Sequence, residues 1–116
     1  RALLGPQAVI GLTTGTLELV RGAQAVAGLI DYVGAGPFRP TPTKDSGRPA
    51  LGVEGYRPLV AATSLPVVAI GDVGPEDARD LAGTGVAGAA LVRAIMDAPD
   101  PAAVVREVLR GFAARP

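Results

Sequence analysis

Two threonine hydroxyls and a lysine ammonium crowd into the end of one short run, Gly36-Pro37-Phe38-Arg39-Pro40-Thr41-Pro42-Thr43-Lys44. The chemistry these residues offer is oxyanion binding. Thr41 and Thr43 can donate hydroxyl hydrogen bonds, and Lys44 supplies a compact positive charge. Gly36 lets backbone approach a ligand closely. Pro37, Pro40 and Pro42 stiffen the path and reduce the entropy lost on ordering. Arg39 and Arg48 add charge against one nearby acid, Asp45. On composition alone, a proline-rich surface loop with solvated charges is the competing reading.

Such a loop needs elements to hold it. Four short apolar runs recur along the chain, Ala8–Leu12, Ile30–Gly34, Pro66–Ile70 and Gly88–Val92. Asp31 apart, they carry no charge, as strands buried on both faces would. Helix signals lie between them. Thr16 is placed to cap a helix running to about Ala27, with Glu18 in its first turn. Pro75 suits a first helical position, followed by Glu76 and Asp77, and Gly83 and Gly85 end that helix. Asp100-Pro101 opens the last helix, whose Val104, Val105, Val108, Leu109 and Phe112 form one apolar stripe. Tyr56–Thr63 is a weaker helix because Pro58 interrupts it. Strand and helix alternating at this spacing predicts four parallel βα units.

Four units fit either a small open sheet or half of an eight-stranded barrel, since a whole barrel takes about 250 residues. The segment from Gly34 to Leu51 is long for a loop in such a unit, which marks it as functional or disordered. It follows a strand's C-terminal end, where parallel α/β folds bind ligands.

Composition narrows the chemistry. The chain has 116 residues, 48% of them apolar but chiefly small, and no Trp. Its 11 basic and 11 acidic side chains cancel, which argues against a nucleic-acid or membrane-surface partner. Without Cys or His there is no thiol nucleophile, imidazole base or common zinc ligand. No apolar run is long enough to span a bilayer, and a cytoplasmic setting is expected.

The run Val33–Lys44, VGAGPFRPTPTK, resembles the signature of the thiamine-phosphate synthase (thiamine-phosphate diphosphorylase) family. Ile10–Thr14 resembles that family's Gly-x-Ser strand end, Ala69–Val73 its AIGGI element, and Ala94–Pro101 its last βα junction. The resemblance covers nearly the whole chain and implies a fold: residues 1–116 as the last four βα units of a TIM (β/α)8 barrel. It also implies a reaction, in which hydroxymethylpyrimidine diphosphate and thiazole phosphate give thiamine phosphate and diphosphate. A dissociative step of that kind needs stabilisation of the departing diphosphate more than a base.

Carried over by residue, the resemblance implies that Thr41, Thr43 and Lys44 hold phosphate oxygens, with Lys44 as the catalytic side chain. Thr13 takes the place of a Ser that contacts the pyrimidine. The backbone at Gly71, and at Val92-Arg93, binds the thiazole phosphate. The family's magnesium ligands belong to the first half of the barrel. Mg2+ is therefore expected as cofactor with no ligand in this chain, and an N-terminal half-barrel or a second copy is expected as partner.

Two departures stand out. Asp72 replaces the second Gly of the AIGGI element, so a carboxylate stands near the phosphate unless it turns outward or is paired. Arg93 stands where Ser is common, and its guanidinium either binds the phosphate or forms a surface ion pair with Asp72. Asp31 reads as a strand-start residue, and Glu76, Asp77 and Asp80 as a solvated helix face. Two other functions stay open: a non-catalytic phosphate-binding half-barrel, and a relative of the thiazole tautomerases, whose catalytic His is missing here.

Overall fold

A computed structural model describes residues 1–40 and 49–114. Four strands, β1 (Gly11–Thr14), β2 (Tyr32–Ala35), β3 (Val67–Ala69) and β4 (Gly88–Ala89), form one sheet in the order β1-β2-β3-β4. Every neighbouring pair is parallel, with Gly11 opposite Tyr32, Val33 opposite Val67, and Val68 opposite Gly88.

Side chains alternate across the sheet. Val33, Ala35, Val67 and Ala69 face the helices and are at most 2% exposed. They pack with Val20 of α1 (Leu17–Ala25), Tyr56 and Leu59 of α2 (Tyr56–Ala61), and Leu81 of α3 (Ala78–Ala82). These helices thus cover one face of a sheet whose strands follow chain order. That is the arrangement of a barrel wall, whereas an open doubly wound sheet has helices on both faces. The opposite face presents Thr13, Tyr32, Gly34, Val68 and Ile70 to an open groove of about 190 Å3.

The local signals explain most boundaries. Thr16 caps α1, its side chain accepting from the Leu19 N–H at 3.1 Å. Pro58 is tolerated because it falls in the first turn of α2, where a backbone N–H would have no intrahelical partner. The buried Tyr56 hydroxyl then donates to the Ala35 carbonyl at 2.8 Å, tying α2 to β2. Pro75 opens a 3-10 turn, Pro75–Asp77, that runs into α3. Asp100 caps α5 (Pro101–Ala113) by accepting from the Ala103 N–H.

Three expectations need correction. β1 lies further along than Ala8–Leu12, because its pairing with β2 draws Thr13 and Thr14 into the strand. β4 has only two residues, and the chain from Val92 turns into a short helix, α4 (Arg93–Met96), that apolar patterning did not reveal. On α5 the stripe divides: Val104, Val108 and Phe112 are partly buried, while Val105 and Leu109 are exposed. Among the described residues α5 packs mainly on α3, α4 and the 3-10 turn, and those contacts leave the outer edge of the stripe exposed.

Candidate functional site

The C-terminal ends of the strands gather most of the chain's polar chemistry. After β2 the backbone passes through a cis Gly36-Pro37 bond and is pinned to the end of β3. Phe38 N–H donates to the Ile70 carbonyl at 2.9 Å, and Arg39 N–H to the Gly71 carbonyl at 3.2 Å. The returning strand of the loop is held as well, Leu51 N–H donating to the Pro37 carbonyl at 2.8 Å. A Cβ on Gly36 would meet the Ile70 carbonyl oxygen at 2.4 Å, so this approach requires glycine.

Gly71 is equally constrained. Its φ is +93°, and a Cβ there would lie 2.6 Å from the Pro37 Cα. Asp72 follows with φ 61°, a conformation uncommon outside glycine but among those Asp tolerates best. The AIGGI-like segment therefore keeps its left-handed backbone even where a side chain has replaced the second Gly.

Arg39 is engaged within the fold. It does not add free charge to the loop. Its guanidinium forms a two-point ion pair with Asp77, both contacts at 3.0 Å, and donates to the Asp72 carbonyl at 2.7 Å. It also lies over the Phe38 ring, 4.7 Å from the centroid. The bonds to Asp77 hold its pKa above the ordinary arginine value, so it remains charged. Asp77 is consequently no solvated helix residue. Its side chain is 12% exposed, and it also accepts from the Gly74 N–H at 2.8 Å. Glu76 and Asp80 are exposed, as expected. The placement of Asp77 three residues after Gly74, at the start of a helical turn, was the available clue.

Asp72 and Arg93 are joined. Arg93 Nη2 donates to Asp72 Oδ1 across the ends of β3 and β4. This is the pairing that the two departures allowed, and it turns the carboxylate toward a guanidinium. Together with Arg39, Glu76 and Asp97, the pair lines a cleft of about 420 Å3.

Thr13 is exposed on the open face of β1, and its neighbour Thr14 is buried on the other face, where its hydroxyl donates to the Gly34 carbonyl at 3.0 Å. Strand alternation thus leaves Thr13 available to a ligand and engages Thr14 in structure. Gly71 follows β3 and Val92-Arg93 follow β4, with Val92 exposed at the start of α4. Thr41, Thr43, Lys44, Asp45 and Arg48 lie outside the described residues. Asp31 is a strand-start residue as read: its carboxylate accepts from the Ile10 N–H at 2.7 Å and from Arg1 at 3.0 Å. Those bonds, the Ile10 one first, hold its pKa below the usual carboxylate value. Among the described residues, no three acids are grouped to hold a metal ion.

The sequence profile described as thiamine monophosphate synthase matches residues 1–95. The chain belongs to the thiamine monophosphate synthase family. A thiamine-phosphate synthase of Corynebacterium efficiens is 64% identical over 112 residues, a span of 97% of this chain and 52% of that protein. A solved thiamine phosphate pyrophosphorylase from Pyrococcus furiosus superposes with a TM-score of 0.80 at 32% identity, over 96% of this chain and 52% of that one. Another, from Bacteroides thetaiotaomicron, has a TM-score of 0.58 at 17% identity, a likeness of fold. The chain spans about half the length of the relatives it matches, in keeping with four βα units of a thiamine monophosphate synthase barrel. Within this family fold, Thr13, Gly71, Val92 and Arg93 share the end of the sheet where barrel enzymes bind their ligands.

Proposed function

We propose that this chain forms the C-terminal half of a thiamine-phosphate synthase site. The observation that carries the reading is the left-handed Gly71-Asp72 turn docked on the Gly36–Arg39 backbone. It holds Gly36–Arg39 at the end of β3, where Asp72 pairs with Arg93. The names of relatives 64% identical to it support the same reading.

In the proposed reaction, the C–O bond of hydroxymethylpyrimidine diphosphate breaks and its electron pair leaves with diphosphate. The pyrimidine cation is captured by the thiazole nitrogen, forming the C–N bond of thiamine phosphate. Lys44, with Thr41 and Thr43, stabilises charge on the departing diphosphate. Thr13 contacts the pyrimidine substrate. The backbone at Gly71 and Val92-Arg93 holds the thiazole phosphate. No group of the described residues fits magnesium, so the proposed Mg2+ takes its ligands from outside them, and no step is assigned to it here. An N-terminal half-barrel is the proposed partner, since half of each relative's length lies outside the match. The reading places the protein in the cytoplasm. No helix among the described residues is long and apolar enough to cross a membrane.

The test is formation of thiamine phosphate by the protein as expressed in its source cell, given both substrates and magnesium. Lys44→Ala should lower the rate by about a hundredfold or more, the effect of removing one preorganised oxyanion donor. Absence of product from the wild-type protein, or an unaltered rate in the variant, contradicts the reading. The Asp72 carboxylate favours a second reading, a non-catalytic phosphate-binding half-barrel. Calorimetry separates the two: thiazole phosphate binding without magnesium and without turnover would support the module.

A further inference from the structure

The cleft between the ends of β3 and β4 contains two arginines in different states. Arg39 is engaged on three sides, by both Asp77 oxygens and by the Asp72 carbonyl. Among the described residues the Arg93 side chain makes one hydrogen bond, through Nη2 to Asp72 Oδ1, and it is 46% exposed. A guanidinium has five N–H donors, so most of those on Arg93 face away from Asp72.

The carboxylate that meets it is held in place. The Asp72 backbone has φ 61°, its carbonyl accepts from Arg39, and its side chain is 22% exposed. Glu76 and Asp97 line the same cleft and add negative charge. An anion approaching Arg93 therefore meets a guanidinium whose charge is already partly matched by a fixed carboxylate.

We propose that Asp72 sets the anion affinity of Arg93: its carboxylate is the guanidinium's resident partner, and a phosphate monoester arriving between β3 and β4 has to displace it or share it. Asp72 is thus an affinity-determining residue for the phosphate-bearing substrate. This deepens the proposed function and rests on its assignment of a phosphate to the Gly71 and Val92-Arg93 backbone.

The probe is inorganic phosphate, titrated into the protein as expressed in its source cell. Binding is followed at the Gly71 and Val92 amide resonances and at the Arg93 Nε–H. Asp72→Asn removes the charge while keeping a residue type that accepts left-handed backbone, so the turn is retained. It should bind phosphate about three- to tenfold more tightly, the scale expected for a nearby like charge partly screened by water. Asp72→Gly, at a φ that glycine prefers, should show at least the same gain. Arg93→Ala should weaken binding, and Asp72→Asn placed in that background should recover little or none of the gain.

Unchanged or weaker binding in Asp72→Asn or Asp72→Gly overturns the proposal, as does an equal gain with Arg93 absent. So does a lack of phosphate-induced shifts at Gly71 and Val92 in every variant. Failure of the enzymatic reading is registered separately, because thiamine phosphate formation is not measured in this titration.

Discussion

The two ends of this sheet use the same pair of residue types for different ends. At the N-terminal end, Arg1 reaches Asp31 at 3.0 Å, and Asp31 also takes the Ile10 N–H at 2.7 Å. Arg1 itself donates to the Gly5 and Ala8 carbonyls. The bonds to Asp31 fasten the segment before β1 to the start of β2, and those to Gly5 and Ala8 hold that segment together. At the C-terminal end, one pair, Arg39 with Asp77, is similarly engaged in fastening loops. The other, Arg93 with Asp72, has its aspartate on left-handed backbone and leaves donors facing the cleft. An arginine–aspartate pair is therefore not informative by itself. What distinguishes a tie from a ligand site is how many donors the pair leaves over and whether the backbone beneath it is constrained.

The comparison can be broken most forcefully at Gly71. Gly71→Ala puts a methyl group 2.6 Å from the Pro37 Cα and forces an L residue to φ +93°. We expect a loss of about 2–3 kcal/mol, measured by urea denaturation, together with loss of phosphate-induced shifts at the C-terminal end. Next comes Tyr56→Phe, which removes one of the two bonds to the Ala35 carbonyl and leaves it the Ile70 N–H, at about 1 kcal/mol. Burial pushes the Tyr56 phenol above its ordinary pKa. The folded protein thus holds this proton more tightly than the unfolded chain does. The stability involved is full below about pH 10 and falls as pH rises beyond it. Tyr56→Phe should flatten that alkaline limb.

A smaller effect belongs to Arg39. Arg39→Lys keeps the charge but cannot make the planar two-point contact with Asp77. The pair is partly solvent-exposed, so about 1 kcal/mol is expected. Asp31→Asn should have the least effect and should leave ligand binding alone. Asp31 has a pKa below the usual value in the folded state, so its contribution is present above about pH 4 and is lost as pH falls through the lower folded value. The variant should therefore lose part of the acid dependence of unfolding, read from denaturation curves across that range.

Much of this was legible beforehand, for physical reasons. Uncharged apolar runs separated by capped helical patterns specify parallel βα units, and Thr16, Pro75 and Asp100 marked helix starts that the fold retains. Motif order placed Thr13, Gly71 and Val92-Arg93 at one end of the sheet, and the fold brings them there. What could not be read was long-range pairing. The Arg39–Asp77 bond spans 38 positions, so Arg39 looked like loop charge and Asp77 like solvated helix. Strand register moved β1 onto Thr13 and Thr14, because hydrogen bonding to β2 decides it and apolar content does not. α4 escaped notice because four residues are too few to show a period.

The most direct test of the contrast between the two ends is a titration of the protein as expressed in its source cell with thiazole phosphate, read residue by residue from amide resonances. The account predicts saturable shifts at Gly71, Val92 and Arg93, with Ile10 and Asp31 unmoved. Shifts centred on Ile10 and Asp31, or none at the ends of β3 and β4, would contradict it.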